Sequence, residues 1–237
     1  MVGDIRTISL AIPTYNRVDL LIESFADVID DERISEIVIS DDCSDIECYD
    51  LIVRLFDGNN KVKIFRNEYN VDCFRNKKNS IELAINKWCI LLDSDNKIGA
   101  DYLDKLFSIS EWDVDTIYTP SFAMPHFDFR DYSGMIVEKN NVSHNIGKPL
   151  FQTMLNAANY FVNRSEYLRV WDGSVDPVTS DSIYVCYRWL EEGNKIQVVE
   201  GLQYEHRVHV GSHYQNNKNR TPAGFHDSII DGLRRMK

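Results

Sequence analysis

The sequence predicts an α/β protein built on a mostly parallel sheet with helices on both faces. Over the first 92 residues, short apolar runs alternate with segments whose apolar residues recur at helical spacing. Strands that alternate with helices in this way pair in parallel and are covered by those helices. The length of 237 residues and an apolar content of 43% suffice for one such domain with a sizeable core.

The first half of the chain supplies four strands and three helices. The predicted strands are apolar runs of three to six residues, at 7–12, 37–39, 62–65 and 89–92. The predicted helices have apolar positions on one face, at 18–29, 51–56 and 81–88. Pro13 ends the first strand, and Gly58-Asn59-Asn60 stops the second helix.

The second half is less regular. Apolar spacing predicts helices at 100–109 and 180–192, the latter stopped by Gly193. Extended segments are predicted at 116–119, 159–162 and 196–199, and 122–148 reads as loops with short strands. We expect one compact domain with two halves, residues 1–97 and residues 98–237, that together form one site.

Composition excludes some classes of function. The formal net charge of -11 disfavours nucleic acid as a partner. The five scattered cysteines show no zinc-site spacing and are typical of reduced thiols in a cytoplasmic protein.

No apolar stretch reaches the roughly 18 residues that a membrane span needs. The tail at 228–237 is either a solvated terminal helix or a basic amphipathic helix at the inner face of a membrane.

Polar clusters follow three of the predicted strands. They are Pro13-Thr14-Tyr15-Asn16, Asp41-Asp42 and Asp93-Ser94-Asp95. Ligands of parallel sheets bind at the carboxyl ends of the strands, so we expect these clusters to meet at one edge.

Each acidic cluster has a candidate ligand. Asp93 and Asp95 can share a divalent cation, Mn²⁺ or Mg²⁺, that also binds phosphate oxygens, although two solvated turn aspartates are the plainer alternative. Asp42 can accept the N3–H of a uracil or thymine ring while Tyr15 stacks on its face. The alternative role for Asp41, Asp42 and Asp45 is helix N-capping.

In order and spacing, residues 8–17, 39–45 and 92–96 together resemble a family 2 glycosyltransferase with the GT-A fold. The resemblance covers the first hundred residues. It implies an enzyme that moves a sugar from a nucleotide-sugar donor, with Pro13, Thr14, Tyr15, Asn16 and Asp42 around the nucleotide. It further implies that Asp93 lies near the ribose or metal and that Asp95 binds the metal.

The same family carries a basic segment that touches the diphosphate. Here the segment is 74–80, in which Arg75 matches by motif and Lys77 by distance to the next predicted helix. A cation at that position would offset phosphate charge, and a solvated basic turn is the alternative.

The resemblance implies that residues 1–97 bind the nucleotide-sugar and that residues 98–237 bind the acceptor and carry the candidate base. Asp181 matches the aspartate of the family's Glu-Asp segment, although Ser180 replaces the glutamate. An inverting transferase needs a carboxylate to take the acceptor's hydroxyl proton, and we predict Asp181 for this role, with Asp176 as second choice. The alternative for Asp181 is a helix N-cap.

Three histidines, at positions 206, 209 and 213, follow the last predicted strand. Some GT-A enzymes complete their metal shell with a C-terminal histidine, and we predict His206 for this position. A surface loop is the alternative.

The resemblance therefore implies a metal-dependent transferase that moves a sugar to a glycan, lipid-linked glycan or other hydroxyl acceptor in polysaccharide biosynthesis. We predict UDP as the carrier, and dTDP or GDP would satisfy the same features. Two alternatives stay open. A sugar-phosphate nucleotidyltransferase shares a related fold, but it normally has a glycine-rich loop after strand one, where this chain has Pro13 to Asn16. A non-catalytic module that binds nucleotide-sugars is the other.

Overall fold

The computed structural model describes residues 6–209 and 211–237. Its described strands form one sheet in the order β3-β2-β1-β4-β8-β5-β9-β7, with β6 paired to β5. The strands are β1 (Ile8–Thr14), β2 (Ile34–Asp41), β3 (Val62–Arg66), β4 (Trp88–Leu91), β5 (Thr116–Met124), β6 (Phe127–Asp128), β7 (Ile136–Val137), β8 (Phe161–Asn163) and β9 (Lys195–Glu205).

Helices flank this sheet and connect its strands. They are α1 (Val18–Phe25), α2 (Ile46–Leu55), α3 (Asp72–Leu83), α4 (Ala100–Phe107), α5 (Val142–Asn145), α6 (Phe151–Leu155), α7 (Arg164–Val170), α8 (Asp181–Glu191), α9 (His213–Asn217) and α10 (Phe225–Arg235). Short 3-10 turns occur at Arg130–Tyr132 and Val178–Ser180.

The predicted fold class is confirmed. β3, β2, β1 and β4 pair in parallel. β8 is antiparallel to both β4 and β5, so β5 runs in the direction of β4, and β9 is parallel to β5. Every residue of β1 and of β4 is buried, which explains their continuous apolar sequence.

One sheet carries strands from both halves of the chain. A bridge between Lys97 and Glu205 also joins the predicted boundary to the end of β9. The described residues thus place the two halves side by side, and their division into a nucleotide half and an acceptor half stays a prediction.

The predicted helix at 81–88 is wrong. Its residues are divided between the end of α3 at Leu83 and the start of β4 at Trp88. Ala84 adopts an extended conformation after α3, which leaves the side chain of Ile85 80% exposed. Trp88 instead stacks on Phe161 of β8 with ring centroids 5.1 Å apart. The tertiary contact of this tryptophan overrides the local helical spacing.

The tail forms α10, and its apolar face is part of the core. Ile229, Ile230 and Leu233 are buried, in contact with α5 and α8. The apolar face that the sequence offered to a membrane is therefore not accessible, which corrects that interpretation. Among the described residues, no helix is long and apolar enough to cross a membrane.

Candidate active site

A cavity of about 1590 Å³ lies at the carboxyl ends of β1, β2 and β4, the edge at which a parallel sheet was predicted to bind its ligand. All of the predicted site residues except Arg75 line it, namely Pro13, Thr14, Tyr15, Asn16, Asp42, Lys77, Asp93, Asp95, Asp181 and His206. The second-choice base, Asp176, is not in its wall and accepts a hydrogen bond from the backbone N–H of Val178.

The structure distinguishes the two basic candidates. Both lie on α3, and residues two apart point to nearly opposite sides of an α-helix, about 200° around its axis. Lys77 is buried in the cavity wall, whereas Arg75 is outside it. The prediction that Arg75 lines the site is therefore wrong, because α3 begins at Asp72, earlier than expected, and carries both residues.

Asp41 and Asp42 have separate tasks at the end of β2. Asp41 is fully buried, accepts a hydrogen bond from the backbone N–H of Ser44 at 3.2 Å, and so holds the loop. Asp42 lines the cavity, and its Oδ1 accepts from Asn67 Nδ2 at 2.9 Å and from the backbone N–H of Val71 at 2.8 Å. Burial raises the pKa of Asp42, against those two hydrogen bonds.

Tyr15 and Asn16 complete this end of the cavity. The Tyr15 side chain is 43% exposed, as suits a ring available for stacking. Asn16 has a left-handed backbone conformation with φ 50°, and it joins the loops after β1 and β2. Its N–H donates to Ser44 Oγ at 2.9 Å, and its Oδ1 accepts from the N–H of Asp45 at 2.7 Å.

Lys77 connects the triplet Asp93-Ser94-Asp95 to Asp181, the predicted base. Its Nζ lies 3.0 Å from Asp93 Oδ1 and 2.8 Å from Asp181 Oδ2. Cys73, one turn earlier on α3, places its Sγ 3.8 Å from the same oxygen of Asp181. One buried cation is thus shared by two carboxylates that lie 88 positions apart in the sequence.

Burial and the neighbouring charges shift the pKa of Lys77, Asp93 and Asp181. Burial works against the charged form of Lys77, yet the two carboxylates outweigh it and raise its pKa well above the ordinary value. Burial raises the pKa of Asp93, and the charges of Asp95 and Asp181 add to this increase. Burial alone would raise the pKa of Asp181, but the Lys77 ammonium lowers it below the usual value. Asp181 is therefore ionised at neutral pH.

Asp95 meets a histidine, but a different one from that predicted. His209 Nε2 lies 3.0 Å from Asp95 Oδ2, and Arg17 Nη1 lies 2.7 Å from the same oxygen. His206 instead pairs with His126, with their Nδ1 atoms 3.2 Å apart. Burial, followed by His126, lowers the pKa of His206. His209, and not His206, contacts Asp95, because β9 extends to Glu205 and the next side chain lies against His126. The prediction of His206 as a metal ligand stays a prediction.

Sequence reasoning also missed three positioning residues. Arg207 donates from Nε to the backbone carbonyl of Asp95 at 2.6 Å and from Nη2 to that of Leu20 at 2.8 Å. Asn76 donates to the Ser40 carbonyl, so it ties α3 to β2. Arg17 stands inside the first motif and Asn76 inside the basic segment 74–80, which were the available signals, whereas Arg207 had none.

The C-terminal segment at 211–224 also lines the cavity. Its contacts with Asp72 of α3 and with Thr179 attach it to the opposite wall. Arg220 pairs with Asp72 at 3.2 Å, and Thr221 Oγ1 lies 2.7 Å from Thr179 Oγ1. Just beyond, Ser180 Oγ lies 3.0 Å from His226 Nδ1. The site is thus lined on this side by a segment that is distant in sequence from its floor, which we define as Asp93 and Asp95.

A cavity at the carboxyl edge of a mostly parallel sheet, lined by Asp93-Ser94-Asp95, is the arrangement of the GT-A glycosyltransferases. The chain matches the family described as "Glycosyl transferase family 2" over residues 9–170, and it belongs to this family. Among curated protein sequences, none matches this chain significantly.

Solved structures agree with this fold. The S. aureus TarS fragment 1–349 in complex with UDP-GlcNAc has a TM-score of 0.68 and 16% identity, over 87% of this chain and 60% of that one. GalNAc-T7 with UDP, GalNAc and Mn²⁺ has a TM-score of 0.64 and 17% identity, over 88% of this chain and 45% of that one. The chain therefore spans less than two thirds of these proteins.

Proposed function

We propose that this chain transfers a sugar from a UDP-sugar to a hydroxyl group of a glycan or lipid-linked glycan, with inversion at the anomeric carbon. One observation carries the proposal. A single cavity has Tyr15 and Asp42 at the nucleotide end, Asp95 in its floor, and the ionised Asp181 beside them. The five free cysteines are consistent with work in a reducing cytoplasm, as in polysaccharide assembly.

The donor's base belongs between Tyr15 and Asp42. An aromatic face and a carboxylate held by Asn67 and Val71 suit the flat ring and the N3–H of uracil. The TarS fragment was solved with UDP-GlcNAc, and GalNAc-T7 with UDP, which supports a uridine carrier here. The sugar and diphosphate would then lie over Asp93 and Asp95.

The donor set at Asp95 fits a divalent cation that is shared with substrate. Within residues 6–209 and 211–237, no three His, Cys, Asp or Glu side chains form a closed metal site. Cations that act on nucleotides are commonly held by one or two protein groups, with phosphate oxygens and water as the other ligands. Asp95 and His209 would hold Mn²⁺ or Mg²⁺ in this way, and His nitrogen favours Mn²⁺. When bound, the ion supplies positive charge against the leaving diphosphate.

Asp181 performs the proton transfer. The acceptor oxygen attacks the anomeric carbon from the face opposite the diphosphate, forming the new C–O bond. The bond from that carbon to the diphosphate oxygen breaks, and the electron pair leaves with UDP. The Asp181 carboxylate takes the hydroxyl proton. Lys77 holds this carboxylate in place and ionised at its 2.8 Å contact.

The family match favours glycosyl transfer over nucleotidyl transfer. Asp181 in the cavity wall favours an enzyme over a binding module, since an inverting transferase requires a carboxylate that can take the acceptor's hydroxyl proton.

A product assay tests the proposal. The chain is incubated with Mn²⁺, a series of UDP-sugars and a mixture of glycosides, and released UDP and new glycosides are measured by mass spectrometry. We expect both products together and no pyrophosphate from a sugar phosphate with UTP. Pyrophosphate release, or metal-linked UDP binding without turnover of any donor, would overturn it.

A further inference from the structure

The cavity is larger than one donor requires. Ligand sites commonly measure about 300–1,000 Å³. This cavity measures about 1590 Å³ and continues past Asp181 to a wall formed by the end of α6 and the turn before α8. We call this wall the far wall and define it as Gln152, Thr153, Asn156, Thr179 and Ser180.

The far wall is built onto the helix that carries Asp181. Asn156 Nδ2 donates to the Thr179 carbonyl at 3.1 Å, and Asn156 Oδ1 accepts from the backbone N–H of Ile183 at 3.1 Å. Both polar ends of Asn156 are thus used to hold α6 against the start of α8. A ligand seated on this wall is therefore adjacent to the Asp181 carboxylate.

Two side chains of the far wall retain free polar atoms. Gln152 donates from Nε2 to the Ile146 carbonyl at 2.9 Å, which orients its amide and leaves Oε1 without a partner among the described residues. Thr153 Oγ1 likewise makes no hydrogen bond within the described part of the chain. An amide oxygen that accepts and a hydroxyl that both donates and accepts are suited to ligand hydroxyls.

The far wall lacks formal charge. The polar side chains that it gives to the cavity are amides and hydroxyls, from Gln152, Thr153, Asn156, Thr179 and Ser180. The cations elsewhere in the cavity are mostly engaged. Lys77 and Arg17 pair with carboxylates of the floor, and Arg220 pairs with Asp72. Lys218 lines the cavity without an ion pair among the described residues, but it stands on the C-terminal segment. An anionic group placed on the far wall would therefore lose water without gaining a charged partner from that wall.

Non-glycine residues with left-handed backbone conformations flank this wall. Leu150 (φ 57°) precedes α6, Asn159 (φ 55°) follows it, and Val178 (φ 51°) precedes Thr179. Left-handed conformations cost non-glycine residues about 1–3 kcal/mol each and persist where surrounding contacts impose them, often at ligand sites.

We infer that the far wall is the acceptor subsite and that it takes an uncharged sugar ring. Thr153 Oγ1 and Gln152 Oε1 bind hydroxyls of that ring and turn one further hydroxyl toward Asp181. The inference rests on the proposed function and specifies its acceptor: a neutral, hydroxyl-rich glycoside, as opposed to a phosphodiester or a uronic acid.

The test uses the whole chain with Mn²⁺ and UDP-hexoses, offering equal concentrations of neutral methyl hexosides, methyl glucuronide and ribitol phosphate in one mixture. We expect transfer to at least one neutral hexoside. Thr153→Val should raise the acceptor KM about tenfold, the cost of one lost hydrogen bond, with the UDP dissociation constant unchanged. Thr153→Ser keeps the hydroxyl and should keep the acceptor KM near wild type. Ser110→Ala removes an exposed hydroxyl outside the cavity and is the matched control.

The outcomes separate the two claims. Failure to bind UDP or to turn over any donor would refute the proposed function itself. Donor turnover with transfer only to the anionic acceptors, or to no neutral hexoside, would overturn the inference alone. An unchanged acceptor KM in Thr153→Val would remove the far wall from acceptor binding.

Discussion

The two halves of the molecule build their share of the cavity in different ways. In residues 6–97, the sheet places Asp42 and Asp93 on loops directly after β2 and β4, and Lys77 joins them from α3. In residues 98–209 and 211–237, they stand on short helices and turns, such as α6 and the turn before α8. The first half thus follows a rule of sheet topology, whereas the second depends on specific tertiary contacts.

The comparison teaches where specificity can reside. The strand-end loops are placed by a sheet that the family shares, and they suit the constant part of the reaction, the nucleotide diphosphate. The far wall is held by individual contacts such as that of Asn156 with Thr179, which can change without disturbing the sheet. The predictions below break one half at a time.

Replacement of the base should have the largest effect. Asp181→Asn removes the proton acceptor while keeping its shape, and general base catalysis is typically worth 10²–10⁴-fold. We expect kcat to fall by about that factor, with the UDP affinity from calorimetry within about twofold of wild type. Asp176→Asn is the matched control outside the cavity and should keep full kcat. Loss of activity in Asp176→Asn alone would mean that Asp176, and not Asp181, is the base.

Lys77 joins the two halves, so its loss should affect both. Lys77→Met leaves the carboxylates of Asp93 and Asp181 without their shared cation, which we expect to lower kcat about 10²-fold and the unfolding free energy by about 3 kcal/mol. Lys78→Met, at the exposed pair with Glu82, is the matched control and should cost at most about 0.5 kcal/mol.

The same variant should move the pH profile of transfer. Lys77 lowers the pKa of Asp181, so in the wild type the base stays ionised below the ordinary carboxyl range and activity is lost only as pH falls through that lowered pKa. In Lys77→Met the pKa of Asp181 rises, and the acid limb of kcat/KM should move to higher pH. An unmoved acid limb would show that Asp181 does not control it.

The histidines distinguish metal binding from packing. His209→Ala should weaken Mn²⁺-dependent UDP binding about 10–100-fold, since His209 shares the Asp95 carboxylate. His206→Ala, whose side chain faces His126, should change it by less than about threefold. Calorimetry at matched Mn²⁺ concentrations makes the comparison. Equal losses in both variants would contradict the assignment of His209.

The nucleotide end should respond more modestly. Asp42→Asn keeps the size of the side chain but replaces an acceptor oxygen by an amide, and we expect UDP binding to weaken about tenfold. Discrimination between UDP and CDP should fall at the same time. Asp41→Asn tests the opposite role, because Asp41 holds the loop, and it should reduce the melting temperature more than the base preference.

The difference between the two halves also explains which features of the fold and the site could be predicted from the sequence. The strands, their parallel order and the meeting of Tyr15, Asp42, Asp93 and Asp95 could be predicted, because apolar runs and the polar residues after them are local patterns. Asp181 was found through its family motif, and the structure places it beside Lys77.

What the sequence did not predict depends on tertiary contacts, which local sequence patterns do not record. The start of α3 at Asp72, which separates Lys77 from Arg75, is set by packing against β1 and β2 and has no clear apolar signal in the sequence. The choice of His209 over His206 depends on where β9 ends. The apolar face of α10 predicts an amphipathic helix equally well whether its partner is a membrane or α8.

A crystal structure with UDP and Mn²⁺ tests the central claim most directly. We expect the uracil between Tyr15 and Asp42, and anomalous scattering from the ion beside Asp95 and His209, with Arg17 moved off the Asp95 carboxylate. A nucleotide bound elsewhere, or an ion more than about 4 Å from both side chains, would contradict the account.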